Sequence, residues 1–183
     1  MAAQGFGILT ILLAIPVIGA ALLMFLPRRQ SGTLFAVALL AAGVEFLWSL
    51  EVFNLFDAKN GAMQLIERVA WMPSFGIQYI LGIDGISIFL VLLTTFLMPL
   101  ALLASWSVRD KVKEYLIFML LLETGMLGAF LALDLVLFYV FWEVMLVPMY
   151  FLIGVWGGTR RIYAALKFVL FTMRIAMVCP KMV

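Results

Sequence analysis

Histidine is absent from this chain of 183 residues, and cysteine occurs once, at Cys179. These absences exclude a disulfide framework, a structural zinc site, a histidine-ligated haem and a cysteine-ligated iron–sulfur cluster within the chain. The sequence also contains no phosphate-binding loop and no dinucleotide-binding fingerprint. We therefore expect no metal and no cofactor in this chain, so its chemistry must use carboxylates, Lys, Arg and water.

Charged residues are also scarce, at 12% of the sequence, whereas hydrophobic residues make up 67%. Soluble domains contain about 25% charged residues, and a small domain leaves too much surface facing solvent for so apolar a composition. The net charge of +2 is too small for a nucleic-acid surface. These numbers predict an integral membrane protein whose partner is the lipid bilayer and not a nucleic acid.

Continuous apolar runs of about twenty residues are long enough to cross a ~30 Å hydrocarbon core. Because every backbone polar group in lipid needs an internal partner, such runs fold as helices. The sequence therefore predicts an all-α fold, a polytopic transmembrane helical bundle in a single domain. The helices are expected at about 6–26, 33–53, 86–106, 115–133, 135–156 and 162–178.

Residues 54–84 form the one long connection between these helices, and they contain Asp57, Lys59, Glu67 and Arg68. Lys and Arg concentrate in the cytoplasmic loops of membrane proteins. One side of the predicted bundle has only Lys59 and Arg68 before the sixth helix. The other side has Arg28, Arg29, Arg109, Lys111, Lys113, Arg160 and Arg161. We therefore expect the N-terminus and the 54–84 connection to face outward.

Ionisable residues near a bilayer centre cost several kcal/mol and mark functional sites by default. Glu143 lies near the middle of the fifth run, and Pro148 removes the helical partner of the Val144 carbonyl beside it. Such a carbonyl could hold water. Since burial disfavours the charged form and a nearby cation favours it, a movable cation could load and unload this acid. The alternative is a structural carboxylate bonded to a neighbouring helix.

Other ionisable residues interrupt the apolar runs more ambiguously. Glu123, followed by Thr124 and a glycine, could be a second proton carrier or a packing acid. A structural role is favoured for Glu45. Lys167 could pair with a buried acid, although extension of the side chain to the lipid headgroups is the commoner outcome. Arg174 has no role that the pattern assigns.

Several motifs resemble a known family. Phe138-Tyr139-Val140-Phe141-Trp142-Glu143, then Leu146–Tyr150 and Gly154–Gly158, closely resemble the subunit M family of proton-pumping NADH:quinone oxidoreductase, respiratory complex I. The segments Leu81–Ser87, Leu92–Thr94 and Arg161–Phe168 agree with the same family in order and spacing. The resemblance covers nearly the whole chain, to about Thr172.

The resemblance implies a membrane subunit that carries protons while other subunits bind NADH, FMN, iron–sulfur clusters and quinone. It implies neighbouring antiporter-like subunits of the L and N types as partners, in the inner membrane of a bacterial cell. Glu143 stands where the family has its essential proton-transfer acid. Lys167 matches a helix-six lysine, Asp84 matches a marker that we interpret as structural, and Glu123 matches acids in some relatives only.

From Met173 onward the sequence departs from the family pattern, and it ends before the family's later helices. A truncation, a reading-frame change and a natural short variant all explain this ending. The helix-seven lysine that pairs with the helix-five acid, the central-channel lysine and the distal channel acid are missing with those helices. We therefore expect Glu143 to be half of a pair, and we expect this chain alone not to pump. Arg174 could be a product of the altered tail.

Two other functions remain open. The same fold and the same carboxylate–lysine chemistry occur in subunits of multi-subunit sodium/proton antiporters. The chain could also be a non-pumping scaffold or fragment whose acids only hold helices together.

Overall fold

A computed structural model describes residues 3–4, 7–28, 30–57, 59, 62–72 and 77–178. Arg29 and Cys179, which entered the sequence analysis, lie outside the described residues. The fold is a bundle of long helices with a small sheet at one end.

The helices of the described residues begin and end within three residues of the predicted positions. Helices α1 to α5 are long and apolar enough to cross a membrane. The sixth helix, α6, carries Arg161, Lys167 and Arg174 and does not meet this criterion, so its membrane crossing stays a prediction. The bounds are α1 Ile8–Phe25, α2 Ser31–Leu55, α3 Ser87–Ala104, α4 Val112–Leu131, α5 Leu135–Trp156 and α6 Arg161–Val178.

The 54–84 connection contains most of a small sheet, which the sequence analysis did not predict. Strands β2 (Gln64–Met72) and β3 (Ile77–Ile83) form an antiparallel pair, and β1 (Ala3–Gln4) lies parallel to β2. The Leu133 N–H donates a hydrogen bond of 2.9 Å to the carbonyl of Ile80 on β3. The all-α prediction is therefore confirmed for the helical bundle. A small sheet covers the end of the bundle where α1 begins.

The sheet also brings a buried carboxylate to the first turn of α1. Glu67, which the sequence analysis placed in the polar connection, is only 2% exposed. Its oxygens accept hydrogen bonds from the Leu9 N–H at 2.6 Å, the Thr10 N–H at 3.1 Å and the Thr10 hydroxyl at 2.5 Å. A Cβ at Gly7 would lie 2.6 Å from Glu67 Oε1, so a larger residue there would displace the carboxylate. The carboxylate thereby satisfies N–H groups that a helix start leaves without partners.

Basic residues gather at the opposite end of the bundle. Lys113 Nζ donates hydrogen bonds of 2.7 Å and 2.9 Å to the carbonyls of Met24 and Leu26, at the end of α1. Trp156, at the end of α5, donates from Nε1 to the carbonyl of Asp110 at 2.8 Å. The end of α1, the start of α4 and the end of α5 therefore meet at one end, away from the sheet.

The buried apolar residues form two separate clusters along the bundle. The sheet-side cluster consists of Leu9, Leu12, Leu13, Val52, Leu81, Ile83, Ile88, Val91, Leu127, Leu131 and Leu137. The basic-side cluster consists of Ala20, Leu23, Leu34, Phe35, Ala38, Ala42, Met98, Leu102, Val112, Leu116 and Leu120. The level between them is not apolar, and it holds the candidate site.

Candidate functional site

Buried polar side chains separate the two apolar clusters. On α2, α3 and α4 alike, these side chains lie between a residue of the basic-side cluster and a residue of the sheet-side cluster. We call this set the polar layer, and its members are Glu45, Ser49, Thr95, Glu123 and Thr124. Because it lies near the middle of three membrane-length helices, the layer is expected at the centre of the bilayer.

The polar layer contains two acids that face each other. Glu45 on α2 and Glu123 on α4 are both 0% exposed. Their carboxyl groups are close enough for electrostatic and hydrogen-bonding interaction with each other. A hydrogen bond between two carboxyl groups needs a proton on one of them. When both are ionised, none of their four oxygens has a hydrogen-bond donor within the described residues.

The hydroxyl groups of the polar layer do not supply the missing donor. Ser49 Oγ donates to the Phe46 carbonyl at 2.7 Å and lies 2.9 Å from Thr95 Oγ1. Thr95 Oγ1 is also 3.0 Å from the carbonyl of Val91, and Thr124 Oγ1 donates to its own helix at 3.0 Å. Since these protons are directed at neighbouring hydroxyl or backbone oxygens, the two acids depend on each other.

Glu143 lies at the middle of α5, as the sequence predicts, and it is half-buried. Its Oε1 atom is buried and has no hydrogen-bond partner among the described residues. The carboxylate interacts with the hydroxyl of Tyr139, one turn earlier. Pro148 is buried in the same helix, and it leaves the Val144 carbonyl without its helical donor. The freed carbonyl and the acid with the unpartnered oxygen therefore belong to adjacent residues in the middle of α5.

Close packing of α5 on α4 directs Glu143 away from the other two acids. A Cβ at Gly125 would lie 2.9 Å from Met145 Cβ, and one at Gly128 would overlap the Phe141 ring. Met145 and Phe141 thus form the face of α5 that touches α4. Glu143 lies midway between them in sequence, on the opposite face at about 3.6 residues per turn. The structure consequently separates Glu143 from the pair of Glu45 and Glu123.

Lys167 is exposed on α6 and does not pair with any buried acid within the described residues. Its Nζ lies 5.9 Å from the centre of the Tyr163 ring on the same helix, a separation typical of a cation–π contact. Arg174 is exposed as well. The ion pair of the described residues joins Arg28 and Glu114 at 2.6 Å, on the basic side.

Asp84 has a structural position at the start of α3. Its Oδ1 accepts hydrogen bonds from the Ser87 N–H at 2.6 Å and the Ile86 N–H at 3.1 Å. The hydrogen bonds from Ser87 lower the pKa of Asp84 below its ordinary value. This agrees with the structural interpretation of the Gly-Ile-Asp-Gly motif. The described residues contain no group of three or more acidic or cysteine side chains that could hold a metal ion.

Two family models match the chain. The model of NADH-ubiquinone oxidoreductase chain 4, amino terminus, matches residues 8–133. The model described as NADH:quinone oxidoreductase/Mrp antiporter, TM, matches residues 132–178. The second match contains Glu143 and Lys167, and the first contains Glu45 and Glu123.

Similar full-length proteins carry names from the same family. NADH-quinone oxidoreductase subunit M of Rhodobacter capsulatus is 48% identical over 169 residues, which are 90% of this chain and 33% of that protein. NADH-ubiquinone oxidoreductase chain 4 of Arabidopsis thaliana is 43% identical over 164 residues, 88% of this chain and 33% of that protein. The chain thus spans about a third of the length of these relatives.

Solved structures share the fold. A chain of respiratory complex I from Thermus thermophilus with bound NADH matches with a TM-score of 0.76 and 30% identity, over 91% of this chain and 33% of that chain. A chain of the archaeal membrane-bound sulfane sulfur reductase matches with a TM-score of 0.73 and 23% identity, over 90% of this chain and 25% of that chain. The second likeness concerns the fold alone.

Proposed function

This chain belongs to the family of NADH-ubiquinone oxidoreductase chain 4 and is an integral membrane protein, and on that premise we propose that it serves in the membrane arm of respiratory complex I. There it takes part in proton translocation coupled to electron transfer from NADH to quinone. The redox cofactors FMN, the iron–sulfur clusters and quinone belong to other subunits. The chain itself contributes carboxylates, lysines and the water between them.

The observation that carries this proposal is the unpartnered carboxylate oxygen of Glu143. It is buried at the middle of α5, and the next residue in sequence, Val144, has a carbonyl that Pro148 leaves without its helical donor. A buried acid without a cation is costly, and such residues mark proton pathways in membrane proteins. The family resemblance assigns the proton-transfer role to the same residue. Glu123 and Lys167 are weaker candidates for this proton-transfer role, because Glu123 faces Glu45 and Lys167 lies exposed on α6.

The chemistry follows from the surroundings of Glu143. A cation that approaches the carboxylate favours its ionised form, and withdrawal of the cation favours proton uptake. Lys167 is not paired with it within the described residues. The cation therefore has to come from a helix or subunit packed against the exposed side of α5 and α6. Redox chemistry elsewhere in the complex would move that cation and so load and unload the acid.

The test is the substitution Glu143→Gln in the assembled complex, reconstituted in sealed vesicles. We expect the number of protons moved per NADH oxidised to fall, because Gln cannot release a proton. Glu51→Gln is the matched control, since Glu51 is an exposed acid of α2, and it should leave the ratio unchanged. An assembled Glu143→Gln complex with an undiminished ratio would remove Glu143 from the mechanism.

A second candidate is a subunit of a multi-subunit sodium/proton antiporter. The family model that matches residues 132–178 covers antiporters as well as oxidoreductases. Copurification separates the two functions. Hydrophilic NADH-oxidising subunits in the purified complex support the first function, and small antiporter subunits without redox cofactors support the second.

A third candidate is a scaffold that does not pump. Liposomes that contain this chain alone would then show no proton flux, while the chain would still bind neighbouring subunits. We expect the same absence of flux even if the full-length protein pumps, since Glu143 has no cation partner within the described residues.

Location and partners belong to the same proposal. We place the chain in a bacterial inner membrane with its N-terminus outside, beside antiporter-like subunits of the L and N types. The support for this orientation is the cluster of basic residues around Lys113 at the end opposite the sheet. Accessibility labelling of single cysteines introduced at Lys59 and at Lys111 would test it, because the two positions should react from opposite sides.

A further inference from the structure

We propose that Glu45 and Glu123 hold a single proton shared between their carboxyl groups, which makes the polar layer a second proton-binding site apart from Glu143. From the sequence alone, a structural role is favoured for Glu45, and Glu123 could be either a proton carrier or a packing acid. The two side chains come together because α2 packs against α4. The proton count rests on burial and geometry, and only the use of this proton in translocation rests on the proposed function.

Neither acid has another hydrogen-bonding partner within the described residues. Both side chains are 0% exposed, and their four oxygens have no hydrogen-bond donor within the described residues. Buried polar groups in native proteins are almost always hydrogen-bonded. One proton between the two carboxyl groups meets this requirement, since the protonated acid donates and the ionised acid accepts. It also removes one of two neighbouring like charges, as in the paired carboxyl groups of known acid dyads.

Within the described residues, no nearby charged group could replace the proton. Helices α1 and α3, which pack against α2, carry no titratable side chain. The other acid of α2, Glu51, is exposed, and Glu143 of α5 lies on the face turned away from α4. The remaining titratable residues of α4 are in its first turn, about 12–15 Å from Glu123 at ~1.5 Å per residue; they are Lys113, Glu114 and Tyr115.

The pair also lies between the two apolar clusters of the bundle. Glu45 and Glu123 separate the sheet-side cluster from the basic-side cluster, and the hydroxyls of Ser49 and Thr95 continue the polar layer toward α3. The backbone carbonyl of Thr95 lies at the same level. It has no helical donor, because Pro99 lacks an N–H. A proton held here is thus flanked by polar atoms in the membrane plane and by apolar layers above and below.

Infrared spectroscopy of the full chain in lipid nanodiscs counts this proton. At neutral pH, exposed acids are ionised, so the carbonyl-stretch band of neutral carboxylic acids reports buried protons. The proteins to compare are the wild type, Glu45→Gln, Glu123→Gln and the double variant, with Glu51→Gln as control. Gln preserves the shape of the side chain, and circular dichroism checks that each variant folds.

The Glu143→Gln variant measures any contribution of Glu143 to the band, and that contribution is subtracted from the other areas. A shared proton then predicts a band in the wild type that the double variant lacks and that Glu51→Gln retains. Two results agree with one shared proton. In the first, the band of the wild type is no larger than the band of either single variant. In the second, the band vanishes from both single variants, because the proton needs two carboxyl groups. An area in the wild type that is twice that of each single variant means two separately neutral acids, and it overturns the proposal. The absence of the band from the wild type also overturns it, because both acids would then be ionised around a cation.

The count remains possible even if the variants do not fold. Acidifying the wild type protonates all ten Asp and Glu side chains and the C-terminal carboxyl group, which together give an internal scale for the band at neutral pH. The count is repeated in Glu143→Gln, which leaves both acids of the polar layer in place. One proton in that variant supports the proposal; zero or two contradicts it. These outcomes do not depend on pumping, so they are distinct from failure of the proposed function. If the site serves translocation, Glu45→Gln in the assembled complex lowers the number of protons moved per NADH, and Glu51→Gln does not.

Discussion

Replacing Glu67 tests whether the sheet stabilises the bundle through the first turn of α1. Glu67 is the acceptor for the N–H groups of Leu9 and Thr10 and for the Thr10 hydroxyl. The Tyr79 hydroxyl lies 3.1 Å from the same Thr10 oxygen, and burial raises the pKa of Tyr79 above its ordinary value. The change Glu67→Ala removes the acceptor, and Glu67→Gln removes only the charge and one of its two oxygens.

The magnitude follows from these contacts. A buried donor left without an acceptor costs about 1–3 kcal/mol, and Glu67→Ala leaves one fully buried N–H and two partly buried donors. A negative charge at a helix N-terminus contributes about 0.3–1 kcal/mol, and up to ~2 kcal/mol where it is partly buried. We therefore expect a loss of about 3 kcal/mol in the free energy of unfolding for Glu67→Ala. The loss for Glu67→Gln should be about 1–2 kcal/mol, because one acceptor oxygen remains.

The assay is equilibrium unfolding in mixed detergent micelles, followed by circular dichroism. Glu51→Ala and Glu51→Gln are the controls, since they remove the charge of an exposed acid on α2. Surface substitutions of this kind usually change stability by less than about 0.5 kcal/mol. If Glu67→Ala falls within that range of Glu51→Ala, Glu67 does not stabilise the start of α1 and the reasoning is wrong.

Two further predictions concern packing and pH. Gly128→Ala should destabilise the protein by about 1–3 kcal/mol, because the new Cβ meets the Phe141 ring. Gly43→Ala in α2 has open space around it and should be neutral or stabilising; equal unfolding free energies for the two variants would contradict the close contact of α4 with α5. The pKa of Asp84 is lowered in the folded state by hydrogen bonds from Ser87, so its stabilisation is present above its unfolded pKa and is lost as the pH falls through the folded value. Unfolding measured below about pH 4 should therefore show a smaller acid-induced loss for Asp84→Asn than for the wild type, and parallel curves for the two would refute this.

The membrane-spanning helices could be predicted from sequence because their cause is local. A run of apolar residues must satisfy its backbone hydrogen bonds internally once it is in lipid, wherever the rest of the chain lies. The same reasoning placed Glu143 near the middle of α5, and the family motif around it identified the family. Glu143 and Pro148 are also close in sequence, so the loss of the Val144 hydrogen bond next to Glu143 could be derived without the structure.

The sheet was missed for a different reason. Residues 77–83 are apolar enough to suggest the approach to a helix, and Glu67 in an otherwise polar stretch suggests exposure to water. Leu65, at φ 52°, adopts a left-handed conformation where the register of β2 shifts. The strand pairing that buries Glu67 and Leu81 joins segments that are separate in sequence. Only the paired strands show that the carboxylate reaches the start of α1.

What the sequence determined was therefore the set of membrane helices and the presence of acids inside them, since each depends on residues close together in the chain. Which acids meet was decided by the tertiary structure. Glu45 faces Glu123 because α1, α2 and α4 pack closely, with Gly19 placed so that a Cβ there would lie 2.6 Å from Ala41 Cβ and 3.2 Å from Leu120. Glu143 is turned away because glycines on α4 accept the opposite face of α5. The rotation of each helix about its axis is set by such contacts between distant segments, and no local pattern contains it.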